Sequence, residues 1–312
     1  MLVTPKRHGR GHYAYGSIKT YLSAVRDYHI ERTGADPTDR ARVRRVLHAA
    51  RKYCIRRGRA RRKWPISPAM LRAWRRTLTR SYNDQVKWAA ALLALFGLHR
   101  VSEYASTRGK HIGLKRGNVE FATERDASGV PLYVHIHLER FKGDFWRHGM
   151  TLTHFQSGED LCVVTSLWEL LKNDVRPATE PLFRLATPPG RCRPRYLTRT
   201  DVAAYTKRMA QLAGLPEDNF NTHSFRAGGA VLLWEANYSI SDIQILGRWR
   251  SDAFRLYLTQ SDARIKDVTG RMARARPGGI VYAQLQERLV VEPLIPSKMR
   301  ALARVVASGS AV

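Results

Sequence analysis

Apolar residues recur at helical spacing along most of the chain, and they alternate with polar residues in one central stretch. The first predicted helix is capped by Ser17 and ended by Gly34, and its apolar stripe consists of Ile18, Tyr21, Leu22, Val25 and Tyr28. A second predicted helix opens at residues 36–39 and has an apolar side made of Val43, Val46, Leu47 and Ala50. Both stripes are typical of helices with one buried face.

A boundary is predicted near Pro65, because Ser67 is a favourable N-cap and Pro68 fits the first position of a helix. Helical periodicity then predicts helices over residues 68–80, 83–97, 164–173, 200–213 and within 222–260. In the middle, three runs alternate or are β-branched and are separated by turn residues, namely 119–122, 132–139 and 150–155. The predicted fold class is therefore mainly α with a small antiparallel β-sheet, an α+β arrangement.

The charge of the chain indicates that this predicted helical protein binds an anionic partner. The 312 residues include 54 Lys and Arg against 26 Asp and Glu, a formal net charge of +28. Such an excess repels itself in a compact molecule unless an anion screens it, and nucleic acid is the commonest partner of this kind. A membrane surface fits less well, because the basic segments lack a continuous apolar face.

The same sequence predicts an intracellular protein, nuclear if the host is eukaryotic. No stretch approaches the ~18 apolar residues of a membrane-spanning helix, and residues 1–10 have no apolar secretory core. Cys54, Cys162 and Cys192 are far apart and lack metal-ligand spacing, so we interpret them as reduced thiols. His135 and His137 alternate in a strand-like run, which is not a zinc pattern.

Positive charge is concentrated in residues 40–63, where 12 of 24 residues are Lys or Arg and none is acidic. A solvated helix face normally carries both signs, so this run favours contact with DNA phosphates. Its end is predicted to be a basic linker with the candidate DNA-binding residues Arg56, Arg57, Arg59, Arg61, Arg62 and Lys63.

Residues 222–257 contain a His and an Arg close together and, further on, the hydroxyl of Tyr257, a set of groups that suits reactions at a phosphate. His223 and Arg226 are three residues apart and predicted to share a helix face. Breaking a DNA backbone without a metal needs a nucleophile, cations that hold the non-bridging oxygens, and an acid for the leaving oxygen. Arg226 and Arg100 are the candidate cations, since a guanidinium donates two parallel hydrogen bonds to phosphate. Taken alone, Arg100 fits better as a structural partner of Glu103, three residues on.

Three segments resemble the motifs of the tyrosine recombinases, or phage-integrase family: residues 97–103 (GLHRVSE), 223–230 (HSFRAGGA) and 246–257 (LGRWRSDAFRLY). The last two are most similar to recombinases of eukaryotic mobile elements of the Crypton and DIRS type. The resemblance covers about residues 67–270, and residues 17–64 look like part of the family's helical core-binding domain. Any one motif would be weak evidence, but three in order with suitable spacing are specific.

The resemblance implies a catalytic role for several residues. Tyr257 is the nucleophile that forms a 3′-phosphotyrosyl bond. Arg100 and Arg226 clamp the scissile phosphate, with Glu103 as a supporting residue. His223 assists in proton transfer or in phosphate binding.

Two further roles rest on less direct matches. The family has a lysine on a turn between two strands that protonates the leaving oxygen, and Lys142 fits this place better than Lys110 or Lys115. The family also has His or Trp as a second clamp donor nine residues before the tyrosine, where this chain has Arg248. Trp249 is favoured by residue type, and Arg248 remains an alternative with charge.

The function implied is that of a site-specific DNA recombinase or integrase without metal or cofactor, a homo-tetramer on double-stranded DNA and a monomer when free. The expected domains are a partial helical DNA-binding domain with linker (1–64), a catalytic domain (65–276) and a C-terminal tail (277–312). Only two predicted helices precede the catalytic domain, where the family commonly has four or more. A catalytically inactive DNA-binding derivative is therefore an alternative. A type IB topoisomerase-like enzyme and a basic RNA-binding protein are weaker ones.

Overall fold

A computed structural model describes residues 13, 15–57, 63–106, 113–187, 189–190 and 192–258, except for the side chains of 55–57 and 256. All of these residues fall in one compact unit. Most of the predicted basic linker and the whole predicted tail at 277–312 lie outside the described residues. In the described ranges, no helix is long and apolar enough to cross a membrane. The predicted division into residues 1–64 and 65–276 stays a prediction.

Two helices come first, α1 (Tyr15–Thr33) and α2 (Ala41–Arg57). α1 ends where predicted, because Gly34 has a φ of +70° and its N–H bonds a carbonyl four residues earlier. The predicted apolar stripe of α1 is partly on the surface, with exposed side chains at Tyr21, Val25 and Tyr28. α2 begins later than predicted, because the Asp36 carboxylate accepts two hydrogen bonds from Thr38 and forms a turn there.

Seven more helices are described: α3 (Pro68–Arg75), α4 (Tyr82–Phe96), α5 (Val101–Tyr104), α6 (Val163–Leu171), α7 (Arg199–Leu212), α8 (Ser224–Glu235) and α9 (Ile240–Leu246). Short 3₁₀ turns occur at residues 116–118, 217–219 and 252–256. Ser67 caps α3 as predicted, by accepting a hydrogen bond from the N–H of Met70. α3 is shorter than the predicted 68–80. The Asp84 carboxylate accepts hydrogen bonds from Thr79, and this contact turns the chain before α4.

The predicted antiparallel sheet is present, with strands β1 (Val119–Phe121), β2 (Tyr133–Leu138) and β3 (Met150–Phe155) side by side in that order. Tyr133 pairs with Phe155 and Leu138 with Met150, so β2 and β3 form a hairpin. Burial alternates along β2, as the period-2 pattern predicts. The sequence interpretation missed a second, two-stranded sheet, β4 (Arg184–Leu185) with β5 (Arg195–Tyr196). Strands of two residues are too short to alternate visibly.

Helix α4 lies at the centre of the core, and every residue of Ala89–Leu95 is buried. It packs against α6 and against α8. The approach of α8 is close because of two glycines. A Cβ on Gly229 would collide with the carbonyl of Leu95, and one on Gly228 with that of Ile66. This packing holds the first turn of α8 against the loop that joins α4 to α5. The elements as a whole confirm the predicted fold class, mainly helical with a small antiparallel sheet.

Candidate active site

The chain turn at the start of α8 positions His223 and Arg226. His223 is the N-cap of the helix, and Arg226 is its third residue. The Asn221 carboxamide oxygen accepts the N–H of His223 at 2.8 Å, and the N–H of Asn221 donates to the Ser224 hydroxyl at 3.0 Å. This reciprocal turn fixes both backbone positions before the helix begins.

Arg226 is a buried cation, with 1% of its surface exposed. Its guanidinium donates hydrogen bonds to the carbonyls of Leu98 and Gly247. It also lies over the indole of Trp249, with Cζ 4.1 Å from the ring centroid. Burial and the nearby charges of Arg100 and Arg248 lower the pKa of Arg226 to about 9. The site is therefore electrostatically unfavourable for this cation in the absence of an anion.

Arg100 and Glu103 are paired at the start of α5, the structural arrangement that their spacing predicts. Arg100 is the N-cap of the helix, and Glu103 accepts its N–H at 3.0 Å and its Nη1 at 3.1 Å. The Arg100 side chain retains partial exposure, whereas that of Glu103 is buried. One end of the guanidinium is thus anchored, and the side chain stays accessible.

The Glu103 carboxylate also binds two groups that come from the core. Arg248 Nη2 donates to it at 3.0 Å, and His99 Nδ1 lies 3.2 Å from the same oxygen. Arg248 also donates to the carbonyls of Gly97, Leu98 and Leu246. The guanidinium of Arg248 is therefore engaged by protein oxygens inside the domain.

The surroundings of Glu103 and His99 determine which of the two is charged. Burial by itself raises the pKa of Glu103, but the hydrogen bond with His99 and the charge of Arg248 outweigh it and hold the pKa at about 2. Burial lowers the pKa of His99 below its usual value. Glu103 is accordingly a carboxylate that only accepts hydrogen bonds, so the Nδ1 of a neutral His99 carries the proton.

Tyr257 meets His223 across the site. The hydroxyl oxygen of Tyr257 lies 2.6 Å from Nε2 of His223, and the two rings pack edge to face at 5.6 Å. Burial raises the pKa of Tyr257, although Arg226 and Arg100 oppose this effect. Burial and the charges of Arg226 and Arg100 lower the pKa of His223. These shifts place the proton on the phenol, which donates to the neutral imidazole.

Trp249 and Arg248 lie side by side in sequence but occupy different positions. Arg248 adopts a φ of +57° and turns into the core. Trp249 is half-buried and packs against Phe254 at 5.2 Å and against Tyr257 at 6.3 Å between ring centroids. Trp249 is therefore the one of the two that lines the space around Tyr257 and Arg226.

Lys142 is exposed on the turn between β2 and β3. Its charge contributes, after those of three arginines, to the lowered pKa of His223, so it acts on the same site. Of the alternatives, Lys115 is paired with both oxygens of Glu139 at 2.9 Å, and Lys110 lies outside the described residues.

The predicted DNA-binding residues are mostly beyond the described part. Arg59, Arg61 and Arg62 lie outside it, and for Arg56 and Arg57 only the backbone, in α2, is described. Lys63 is described, and its ammonium donates to the carbonyl of Asp218. Their contact with DNA stays a prediction.

Sequence reasoning missed two features that hold the site together. His99, the neighbour of Arg100, is fully buried against Glu103, and nothing in its spacing distinguishes it from a surface residue. The Leu98 carbonyl accepts hydrogen bonds from both Arg226 and Arg248, with Leu98 at a φ of +48°. A main-chain acceptor leaves no signal in side-chain patterns.

No cluster of three or more His, Cys, Asp or Glu that could hold a metal ion occurs among the described residues. Next to Tyr257 and its phenol, the site presents the imidazole of His223, the indole of Trp249 and several cations. These groups can bind an oxyanion, donate to it and supply a nucleophilic oxygen.

Solved structures that are similar to the chain include recombinases and integrases. The post-cleavage complex of the XerH site-specific recombinase with a palindromic difH substrate shares 13% identity over 82% of this chain and 69% of its own, with a TM-score of 0.48. The Tn1549 transposon integrase in complex with circular intermediate DNA shares 15% sequence identity over 82% of this chain and 79% of its own, with a TM-score of 0.46. The XerA recombinase shares 12% identity over 84% of each chain, with a TM-score of 0.44. No protein-family model and no curated protein matches the chain.

Proposed function

We propose that this chain is a tyrosine recombinase, which cleaves and rejoins duplex DNA through a covalent 3′-phosphotyrosyl intermediate. The observation that carries the proposal is the 2.6 Å hydrogen bond between the Tyr257 hydroxyl and His223, beside the buried guanidinium of Arg226. The phenol of Tyr257 comes from a different segment than the imidazole and the buried cation at the start of α8. These three groups have little reason to converge unless they hold an anion.

In the proposed reaction, the hydroxyl oxygen of Tyr257 attacks the phosphorus of a phosphodiester in the DNA backbone. Its proton passes to Nε2 of His223, which already accepts that hydrogen bond. A phosphorus–oxygen bond to tyrosine forms as the bond to the 5′ oxygen breaks. Attack by a 5′-hydroxyl on the phosphotyrosyl bond reverses the step, so rejoining needs no external energy source.

Arg226 and Arg100 are proposed to hold the non-bridging oxygens as charge builds on them. The pKa of Arg226 is lowered to about 9 by burial and by Arg100 and Arg248, which means that an anion in the site would relieve repulsion among cations. The side chain of Arg100 is partly exposed and reaches the same region, since it affects the pKa values of both His223 and Tyr257.

The second phosphate donor is proposed to be Trp249, and Arg248 is proposed to be a positioning residue. Both terminal nitrogens of Arg248 donate to protein oxygens inside the domain, namely three carbonyls and Glu103. Trp249 lines the space next to Tyr257, and its indole N–H can donate to a phosphate oxygen.

Lys142 is proposed to protonate the leaving 5′ oxygen. It lies on the exposed β2–β3 turn, and its charge acts on His223. An ammonium at such a turn can reach a DNA backbone that lies over the site, and the proton it donates offsets the one that Tyr257 releases.

At the level of the whole molecule, the proposal includes duplex DNA as the partner, because a net charge of +28 suits contact with phosphates. A tetramer on DNA, a relationship to Crypton- or DIRS-type mobile elements and nuclear localisation in a eukaryotic host are finer parts of the same proposal. The tetramer rests on the resemblance to the recombinase family, and the relationship to mobile elements on residues 223–230 and 246–257.

A second candidate is a DNA-binding derivative that has lost the reaction. The observation that favours it is the state of Arg226, which is 1% exposed and donates to two backbone carbonyls. A phosphate could reach this guanidinium only through the donors that those bonds leave unused or after a local rearrangement.

The test is to incubate the protein with a library of nicked suicide duplexes whose central sequence is randomised. On such substrates the strand beyond the cut is lost, so a covalent intermediate accumulates. Protein–DNA adducts that survive denaturation are isolated, their DNA is sequenced, and the attached residue is identified by mass spectrometry. The matched control is Tyr257→Phe, which removes only the attacking oxygen.

We expect an adduct at Tyr257 with one enriched sequence, none with Tyr257→Phe, and duplex affinity unchanged within about threefold. Duplex binding without any adduct would overturn the recombinase proposal in favour of the inactive derivative. Adducts without sequence enrichment, together with relaxation of supercoiled plasmid, would instead identify a topoisomerase-like activity.

A further inference from the structure

Two large aromatic side chains stand in solvent on the turn between β2 and β3. Phe145 is 73% exposed and Trp146 74%, the highest exposures of any aromatic residues in the described part of the chain. Their rings contact each other edge to face at 5.0 Å. Exposure of two adjacent rings is unfavourable in water and is typical of a surface that another molecule covers.

The turn that carries these rings has a defined backbone. The Asp144 carboxylate accepts the N–H groups of His148 and Gly149 at 3.1 and 2.9 Å, which closes the loop from inside. Gly143, Arg147 and Gly149 adopt φ values of +108°, +56° and +70°. Arg147 at a positive φ is uncommon for a residue with a side chain, so the loop is held by its bonds in a specific shape.

The turn lies beside the candidate active site. Trp146 lines one groove together with Trp249 and Arg250. The Arg250 side chain lies next to Gly143 of the turn, since a Cβ added to Gly143 would be 3.7 Å from Cδ of Arg250. Lys142, two residues before the loop's carboxylate, acts electrostatically on His223. A molecule bound to the site therefore passes close to the aromatic pair.

The charges around the pair identify the chemistry of this molecule. The cations in the turn and next to it are Arg140, Lys142, Arg147 and Arg250. Of the two acids of the turn, Glu139 is paired with Lys115, and Asp144 accepts backbone N–H groups. Flat apolar rings surrounded by cations suit a partner that combines flat faces with negative charge. Nucleobases on a phosphate backbone have both properties.

We propose that Phe145 and Trp146 form a stacking platform for nucleobases that leave the duplex next to the phosphate bound in the site. This inference rests on the proposed function, because it requires DNA in the site. It adds a contact with unpaired bases, which phosphate clamping by the arginines does not supply. Insertion of apolar side chains at a base step also favours local opening of the duplex.

The experiment compares two duplexes of the same length, one fully paired and one with a central bubble of mismatched bases that includes 2-aminopurine. Affinities are measured by fluorescence anisotropy at one salt concentration, and stacking by quenching of the 2-aminopurine emission. The variants are Phe145→Ala/Trp146→Ala and Phe145→Leu/Trp146→Leu, the second of which keeps apolar bulk without rings. Phe155→Ala is the matched control, because Phe155 is equally exposed on the same sheet but at the opposite end of β3 from the turn.

We expect the unaltered protein and the Phe155→Ala control to prefer the bubble by at least about fivefold and to quench 2-aminopurine, since stacking on one base is worth about 1–3 kcal/mol. Both double variants should lose the preference and the quenching while their affinity for the paired duplex stays within about twofold. An equal preference in the double variants would overturn the inference. The inference would also be overturned if the only effect of the double variants were a loss of self-association, measured by sedimentation, because the rings would then contact another protein molecule.

The paired duplex separates this inference from the proposed function. Weak or absent binding to the paired duplex by the unaltered protein would contradict both proposals. Good binding to the paired duplex without preference for the bubble would overturn only the stacking platform. Circular dichroism melting tests whether the double variants are folded, and we expect that they are because both positions are exposed.

Discussion

At the scale of single residues, Arg248 and Trp249 have opposite environments although they are adjacent. Arg248 is held by Glu103 and backbone carbonyls inside the domain. The Trp249 ring supports the Arg226 guanidinium at 4.1 Å and lies next to Tyr257. The left-handed backbone of Arg248 sends the two side chains in different directions, which sequence spacing alone does not reveal.

The first prediction concerns the indole N–H of Trp249. Trp249→Phe keeps a ring beneath Arg226 but removes the donor, so we expect adduct formation on suicide duplexes to slow roughly a hundredfold, with DNA affinity and melting temperature nearly unchanged. Trp168→Phe is the control, because Trp168 lies in α6 against Phe121. An unchanged rate of adduct formation would show that Trp249 does not donate to the phosphate.

The second prediction concerns the acid stability supplied by Glu103. Its pKa is held at about 2, below the ordinary 4.5, mainly by His99 and Arg248 acting against burial. The stabilisation is therefore complete above pH 4.5 and is lost as the pH falls toward 2, by about 3 kcal/mol in the free energy of unfolding. Urea unfolding at several pH values measures this slope.

Glu103→Gln should lack this part of the pH dependence, and it should also be less stable than the unaltered protein at neutral pH, since it leaves Arg248 without its buried partner. Glu139→Gln is the control, because Glu139 is paired with Lys115 at the surface. Equal acid sensitivity of Glu103→Gln and the unaltered protein would mean that Glu103 is not the titrating group.

The residues of the site could be predicted from the sequence only where they belong to a motif. His223 and Arg226 are singled out by type and spacing, and Tyr257 by the resemblance to the recombinase motif. The structure brings His223 and Tyr257 within hydrogen-bond distance. The buried environment of Glu103, with His99 and Arg248 around it, could not be predicted. It depends on where a loop folds in space and on the Leu98 carbonyl.

At the scale of elements, the contact between α4 and α8 decides where the site forms. The third prediction is that Gly229→Ala destabilises the protein by about 1–3 kcal/mol, because its Cβ would collide with the Leu95 carbonyl. Gly16→Ala in α1 is the matched control. Nothing lies within 4 Å of a Cβ there, so alanine should be neutral or stabilising by up to about 1 kcal/mol. Chemical denaturation measures both, and equal effects would contradict the packing argument.

Elements with strong local signals were predictable and those without were not. α4 and the β2–β3 hairpin follow from an apolar run and from alternation, and their bounds agree with the prediction within a residue or two. The β4–β5 pair follows from neither, because each strand has two residues and the contact is made by the backbone. The length of α3 was overestimated, since the competing hydrogen bond from Thr79 to Asp84 is a side-chain effect.

At the scale of the whole molecule, the excess of positive charge has two parts. Some arginines are paired with carboxylates, for example Arg72 with Asp160 and Arg195 with Asp201. Residues 40–63, by contrast, contain 12 Lys or Arg and no acid. Within this segment Arg44 is paired with Asp39. Its other cations are expected to release counterions from DNA on binding, whereas a paired guanidinium already has its anion.

The last prediction tests this difference. Replacing Arg56, Arg57, Arg59, Arg61 and Arg62 with Gln should weaken binding to all duplexes alike and should flatten the dependence of log K on log salt by roughly one unit per lost phosphate contact. The control replaces five paired cations outside this segment, Arg26, Arg72, Lys172, Arg184 and Arg195, and removes the same net charge. If net charge alone governs the affinity for DNA, the segment variant and the control variant lose affinity equally. If the basic segment contacts DNA, only the first variant changes the salt slope, and an unchanged slope there would place the segment away from DNA.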